Sequence, residues 1–356
     1  MNEELKARFD KYKNGEMTEE EMVEFEGELE KLETYQMLLD EEMFDDPNEA
    51  SISPEKQRAI LQYGKNKSYL RISVLAIITT LMILPVCTLG SYLYYGLGGN
   101  SSKGSEFIHT AAITLSLTEP NLQIDTANIK SRVELFGMKA DFPLQRQVGN
   151  EQKAAGHEEI ALLLNRIKKP NKSFYYQEIN DNDRIFIHPS KKEKNAVRNA
   201  ESILKQLPDG TVSEAFLSFD QAYSTKEIYE KLKKYDIRVI WKAIETEANS
   251  QDRPYSRPIG FPGKDSAAIT TMTNQVSQSE DQQFESALAY ITEHHKWAES
   301  IADRKDLNLS ERLSYIKQNG VNVYGVVVTG PTREIEHLIQ SEPINAAKLG
   351  EVELWN

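Results

Sequence analysis

Apolar positions first fall into order at Met22, Phe25, Leu29, Leu32, Leu39 and Met43, spaced by threes and fours with Gln36 interrupting. That spacing predicts one helix from Thr18 to about Phe44. Thr18-Glu19-Glu20-Glu21 has the form of a capping box, in which hydroxyl and carboxylate satisfy each other's backbone N–H. A shorter charged helix over residues 2–14 precedes it and ends at Asn14-Gly15. Asp45-Asp46-Pro47 closes the long helix, and Ser53-Pro54 opens another that passes through Leu61, Tyr63 and the weak point Gly64. That helix leads into Ile72–Tyr95, inside a stretch with no Asp, Glu, Lys or Arg between Arg71 and Lys103. Its 24 residues make a helix about 36 Å long, enough to cross a hydrocarbon core of about 30 Å. It begins too far from Met1 to be a cleaved signal, and Tyr69, Tyr92, Tyr94 and Tyr95 fall where headgroups would lie. Pro85 and Gly90 are weak points within the span; such turns are common in spans for packing reasons alone, and easing unwinding for an intramembrane protease is the second reading.

Past the span the period shortens. Gly96–Ser105 (GLGGNSSKGS) reads as a flexible tether. Ile113, Leu115 and Leu117 then alternate with Thr114, Ser116 and Thr118, which predicts a half-buried strand ended by Pro120-Asn121. A strand is expected over Val133–Phe142 and a helix over His157–Lys168, closed by Pro170. Two units of strand, helix and strand follow: Val212–Phe219, Thr225–Lys234 and Ile237–Ile244, then Val321–Thr329, Thr332–Ile339 and a strand ending at Trp355. Their helices open on related words, Thr225-Lys226-Glu227-Ile228 and Thr332-Arg333-Glu334-Ile335, and their closing strands carry Trp241 and Trp355. The expectation is an α/β domain with a mixed sheet, built from a duplicated split βαβ unit. Between the units Gln251–Asp281 lacks periodicity. There Tyr255, Ile259, Gly260, Phe261, Pro262 and Gly263 form a candidate contact loop, a plain connection being the other reading. A long helix over Phe284–Ala302 follows.

Charge divides the chain in the same places. The net charge is −13, yet residues 1–55 alone hold nineteen acidic and five basic residues, so the remainder is nearly neutral. Lys56, Arg58, Lys65, Lys67 and Arg71 stand before the span; after it Lys103 is the one basic residue until Lys130. Such asymmetry places residues 1–69 in the cytoplasm, 70–96 in the membrane, 97–105 in the tether and 106–356 outside. The outer part divides into first strands over 106–150 and a sensor or anchor part over 151–356. An acidic lobe repels nucleic acid and favours a basic partner, unless it is simply a solvated helix surface. The apolar stripe either folds onto the chain's own short helices or docks on another protein. With about 55 residues to build a core, docking is the expectation, through Met22, Phe25, Leu29, Leu32 and Leu39 with Glu21 and Glu28 beside them. Cys87 is the one cysteine, so neither an intrachain disulfide nor a cysteine zinc site forms. No P-loop, GxGxxG after a strand, HExxH or GxSxG occurs, and neighbouring His294 and His295 diverge on a helix. No enzyme, cofactor or metal is expected.

The acidic N-terminal helix, the span near residue 70, SLTEPN at Ser116–Asn121, IGFPG at Ile259–Gly263 and YGVVVTGPTREI at Tyr324–Ile335 together resemble the Bacillus-type regulators of extracytoplasmic-function sigma factors, most of all their anti-sigma-M type. The resemblance covers nearly the whole chain. It implies a single-pass anti-sigma factor that holds its sigma factor at the membrane, away from RNA polymerase, until envelope stress. It also implies a small multi-span membrane co-regulator. Many anti-sigma factors use a His-x3-Cys-x2-Cys zinc motif; residues 1–69 contain neither His nor Cys, so the contact here is metal-free. The first rival reading is an external binding or cell-wall interaction protein with a merely solvated acidic arm; the second is an envelope enzyme, marked by an outer pocket with converging titratable residues.

Overall fold

A computed structural model describes residues 2–44, 53–175, 186–191, 194–246, 257–264 and 279–355. The chain divides into two compact units, Met1–Leu81 and Met82–Asn356.

In the first unit α1 (Asn2–Lys13) and α2 (Glu19–Phe44) flank a turn at Gly15, whose φ of 70° suits glycine. The capping box forms as expected: Thr18 N donates to Glu21 Oε2 at 3.0 Å and Glu21 N to Thr18 Oγ1 at 3.4 Å. Helix α3 (Pro54–Gly96) begins under the Ser53 cap and holds Pro85 within it. It is long and apolar enough to cross a membrane, and none of its most apolar window is buried by protein.

The second unit departs from the expectation at its start. Gly96–Ser105 is not a tether: α3 reaches Gly96, a 3-10 turn occupies Gly99–Ser101, and Ser102 caps α4 (Lys103–Thr118). The predicted strand at Ile113–Leu117 is therefore helix. Residues two apart on a helix lie about 200° apart, so the alternating apolar positions serve opposite faces. Ile113 and Leu117 join one core, whereas Leu115 joins another with Phe107 and Ala111.

The first sheet contains β1 (Gln123–Ile124), β2 (Lys130–Glu134), β3 (Gly137–Val148), β4 (Glu151–Leu163), β5 (Arg166–Ile167) and β6 (Asn171–Phe174). Its order is β1-β3-β4-β5, with β2 also on β3 and β6 also on β4. The strand expected at Val133–Phe142 is present as the β2–β3 hairpin. The helix expected over His157–Lys168 is instead the end of β4 with β5. Alternating burial along β4, exposed at Glu159 and fully covered at Glu158 and Ile160, shows a strand period.

The second sheet follows α5 (Lys194–Gln206). Its elements are β7 (Thr211–Ser224), α6 (Thr225–Leu232), β8 (Arg238–Ile244), β9 (Ile259–Pro262), β10 (Asn322–Pro331), α10 (Thr332–Ser341) and β11 (Ile344–Leu354). Between β9 and β10 lie α7 (Glu280–Glu293), α8 (His295–Ile301) and α9 (Leu309–Asn319), so the single long helix expected there is broken at His294. The sheet order is β11-β7-β10-β8-β9. β7–α6–β8 and β10–α10–β11 are two split βαβ units, each with a strand of the other between its own two. Every described ladder is antiparallel, which corrects the expected mixed sheet: interleaving separates the parallel strands of each unit. Ile228 and Ile335, the last residues of the two related words, occupy the same core with Phe284, Val326 and Val328. Phe216, Trp241 and Val327 pack with Phe186 in a further cluster.

Candidate functional site

The N-terminal helices close on each other through aromatic and charged side chains. Phe25 is 2% exposed, with its ring 5.3 Å from Tyr12 and 6.5 Å from Phe9. Arg8 lies over the same ring at 5.5 Å and pairs with Glu28 at 3.1 Å, while the Tyr12 hydroxyl donates to Glu26 at 3.0 Å. Phe25 is thus an internal anchor, with Met22 and Leu29 half-buried nearby. Glu21 is occupied as a cap, and its hydrogen bonds with Thr18 hold its carboxyl below the ordinary value. Glu28 is occupied by Arg8. From Glu30 to Asp40 every residue is exposed. Leu32 and Leu39 are each more than half exposed, as are Tyr35, Met37 and Leu38. The predicted site residues therefore separate into a covered first half and an uncovered second half of α2. Tyr35, three residues from Leu32 and four from Leu39, stands on the stripe, whereas Met37 and Leu38 stand off it.

The predicted outer contact loop is something else. Ile259, Gly260, Phe261 and Pro262 are β9 and, with Gly263, are buried; Tyr255 lies outside the described residues. A Cβ at Gly260 would overlap the Lys242 carbonyl and the Trp241 ring, and one at Gly263 the Val239 carbonyl. These glycines let β9 approach β8 closely, a packing role.

The other family words meet where the two sheets join. Asn121, at φ 54°, donates through Nδ2 to Gln147 O at 3.2 Å and to Glu214, and accepts from Gln147 N at 3.3 Å. Glu214 on β7 is fully buried, bonds Arg146 on β3 and accepts from Glu351 N at 3.2 Å. Arg146 also reaches Glu351 at 3.2 Å. Thr329 accepts from Gly149 N at 2.6 Å and donates to Ser213 O at 3.0 Å. A lone Glu within the apolar run VSEAFLSF was the available signal for this junction.

A groove of about 970 Å³ opens between α4 and α7. Glu106, His109, Tyr290 and His294 line it over an apolar floor of Ile108, Ala112 and Ile129. His294 Nε2 lies 2.8 Å from Glu106 Oε1, and Lys103 reaches the other oxygen at 2.7 Å. Burial works to raise the Glu106 carboxyl, but these two partners outweigh it and leave it below its ordinary value. Burial, then the charge of His294, lowers the His109 imidazole. Such a groove can take a ligand with a flat or apolar face; among the described residues no three ligating side chains converge for a metal.

A family model described as "Sigma factor regulator N-terminal" matches residues 58–153, and one described as "Sigma factor regulator C-terminal" matches residues 204–351. The chain is 54% identical over 357 residues to the probable anti-sigma-M factor YhdL of Bacillus subtilis strain 168, spanning 100% of this chain and 99% of that protein. No solved structure matches. On these similarities the chain belongs to the sigma factor regulator family.

Proposed function

We propose that the chain is a single-pass membrane anti-sigma factor whose N-terminal unit holds an extracytoplasmic-function sigma factor, of the sigma-M kind, at the inner face of the membrane. The observation that carries the reading is α2: an acidic helix of 26 residues, its first half folded on α1 and its apolar residues from Leu32 to Leu39 exposed. Sigma factors present basic DNA-facing surfaces and apolar polymerase-facing ones. Leu32, Tyr35, Leu38 and Leu39 supply burial, while Glu30 and Glu33 steer association. The basic stretch from Lys56 to Arg71 supports a cytoplasmic N-terminus. The outer sheets then serve as sensor or anchor, releasing the sigma factor on envelope stress. The uncovered apolar surface of α3 is suited to a small multi-span co-regulator within the bilayer.

Leu32→Asp and Leu39→Asp should each weaken retention of the sigma factor by roughly thirty-fold, the effect of a hot spot of about 2 kcal/mol. The readout is co-purification from solubilised membranes. Undiminished retention in both variants would remove α2 as the contact.

A further inference from the structure

Two hairpin tips of the first sheet are held against the outer turns of α3. The β2–β3 tip is Leu135-Phe136 and the β4–β5 tip is Leu164-Asn165, with Leu163 just before it. Phe136 N donates to Ser91 Oγ at 2.9 Å. The Tyr95 hydroxyl is within bonding distance of both Phe136 O, at 3.2 Å, and Leu164 O, at 3.1 Å. Leu164 N donates to Phe136 O at 2.9 Å, tying the tips to each other. Ser91 and Tyr95 are buried by this contact, yet the tips remain open: Leu135 is 41% exposed, Phe136 47%, Leu163 42% and Leu164 59%.

Their backbone makes the exposure more telling. Phe136 and Leu164 adopt φ of 57° and 55°, the left-handed region that turns ordinarily give to Gly or Asn. Large apolar side chains at strained, exposed turn positions fit surroundings that are not water. Depth along α3 says what those surroundings are. Arg71 is the last charge before the apolar stretch, and the 20 residues from Ile72 to Ser91 span about 30 Å, the thickness of the hydrocarbon core. Ser91 therefore sits at the outer boundary of the hydrocarbon, beside the exposed Tyr92 and Tyr94. Arg166, Lys168 and Lys169 follow the second tip and are exposed, placed to meet anionic headgroups.

We infer that Leu135, Phe136, Leu163 and Leu164 are seated in the outer leaflet around the emerging span, so that the first sheet rests on lipid as well as on α3. The inference rests on α3 being the membrane span. In the seated state the tips exchange strained, exposed apolar surface for acyl chains, and the basic residues beside them face headgroups.

The test uses the full chain with Cys87→Ser in lipid nanodiscs, a polarity-sensitive fluorophore on one introduced cysteine at a time, and lipids brominated on the acyl chain. Leu135→Cys and Leu164→Cys probe the two tips independently. Leu81→Cys marks the span, and Lys205→Cys marks α5 in the second sheet. Seated tips give blue-shifted emission quenched to an extent approaching that at position 81, with no quenching at 205. Quenching at 81, with both tips behaving like 205, overturns the seating and leaves the span intact. No quenching at 81 overturns the span itself, and the seating with it.

Discussion

Two buried glutamates in the sheets of the second unit meet different partners. Glu214 is met by Arg146, Asn121 and the Glu351 N–H, so its desolvation is matched by donors. Glu158 on β4 is as deeply buried, but among the described residues neither carboxyl oxygen has a hydrogen-bond partner; Lys172 stands 3.8 Å away and bonds Glu119. Burial pushes the Glu158 carboxyl up to about 8, with Lys172 opposing and losing. At neutral pH the native group is therefore protonated and the Lys172 charge is matched by Glu119. The native state binds a proton that the unfolded chain, with an ordinary carboxyl, gives up above about pH 4.5. Stability from this group is complete below that pH and is lost as pH rises through about 8. Between pH 6 and 8 the loss should reach about 2 kcal/mol. Glu158→Gln should abolish that part of the slope. Denaturant unfolding of the full chain in detergent reads it through Trp241, Trp297 and Trp355, all in the second unit. An unchanged slope in the variant would mean that Glu158 is ionised in the native protein.

Among the elements, β9 shows how a short word can be recognisable yet misleading about its role. Pro and Gly in IGFPG suggest a loop, but its glycines exist because β8 lies against them. Gly260→Ala should displace β9 and destabilise the second unit by about 2 kcal/mol or more, as overpacking does. A thermal midpoint equal to that of the wild type would show that β9 gives way freely. The same paucity of local signal explains which elements were legible. The split βαβ units were, because an apolar run followed by an amphipathic helix is a local pattern and Ile228 and Ile335 mark equivalent positions. Helix α4 was not: a helix buried on opposite faces loses its polar stripe, and its apolar residues then recur at two. Nor was the β4–β5 segment, where Glu158 and Glu159 disguise the alternation of a strand with one charged side chain buried. The stripe on α2 was visible, but its division between Phe25, covered by α1, and Leu32, left open, depends on where α1 ends.

For the molecule as a whole, the helical turn found where a tether was expected changes how the first sheet is attached to α3. A domain on a flexible linker is not held against the helix before it, whereas here α3 runs unbroken to Gly96 and contacts the first sheet through Ser91 and Tyr95. Ser91 is the decisive atom in that seat. Its hydroxyl donates to Cys87 O at 2.9 Å within the helix and accepts Phe136 N from the hairpin. Removing it in Ser91→Ala leaves the helix its own backbone bonds but deprives the Phe136 amide of its acceptor. A lost hydrogen bond of about 1.4 kcal/mol should speed local opening roughly ten-fold. Hydrogen exchange of the peptide containing Phe136, in nanodiscs, measures this directly, with the strands of the second sheet as the unaffected reference. If the Phe136 amide keeps its full protection in the variant, the first sheet is not held on α3 at Ser91. If protection falls there alone, the Ser91 hydroxyl is what holds that hairpin tip on the last turns of α3.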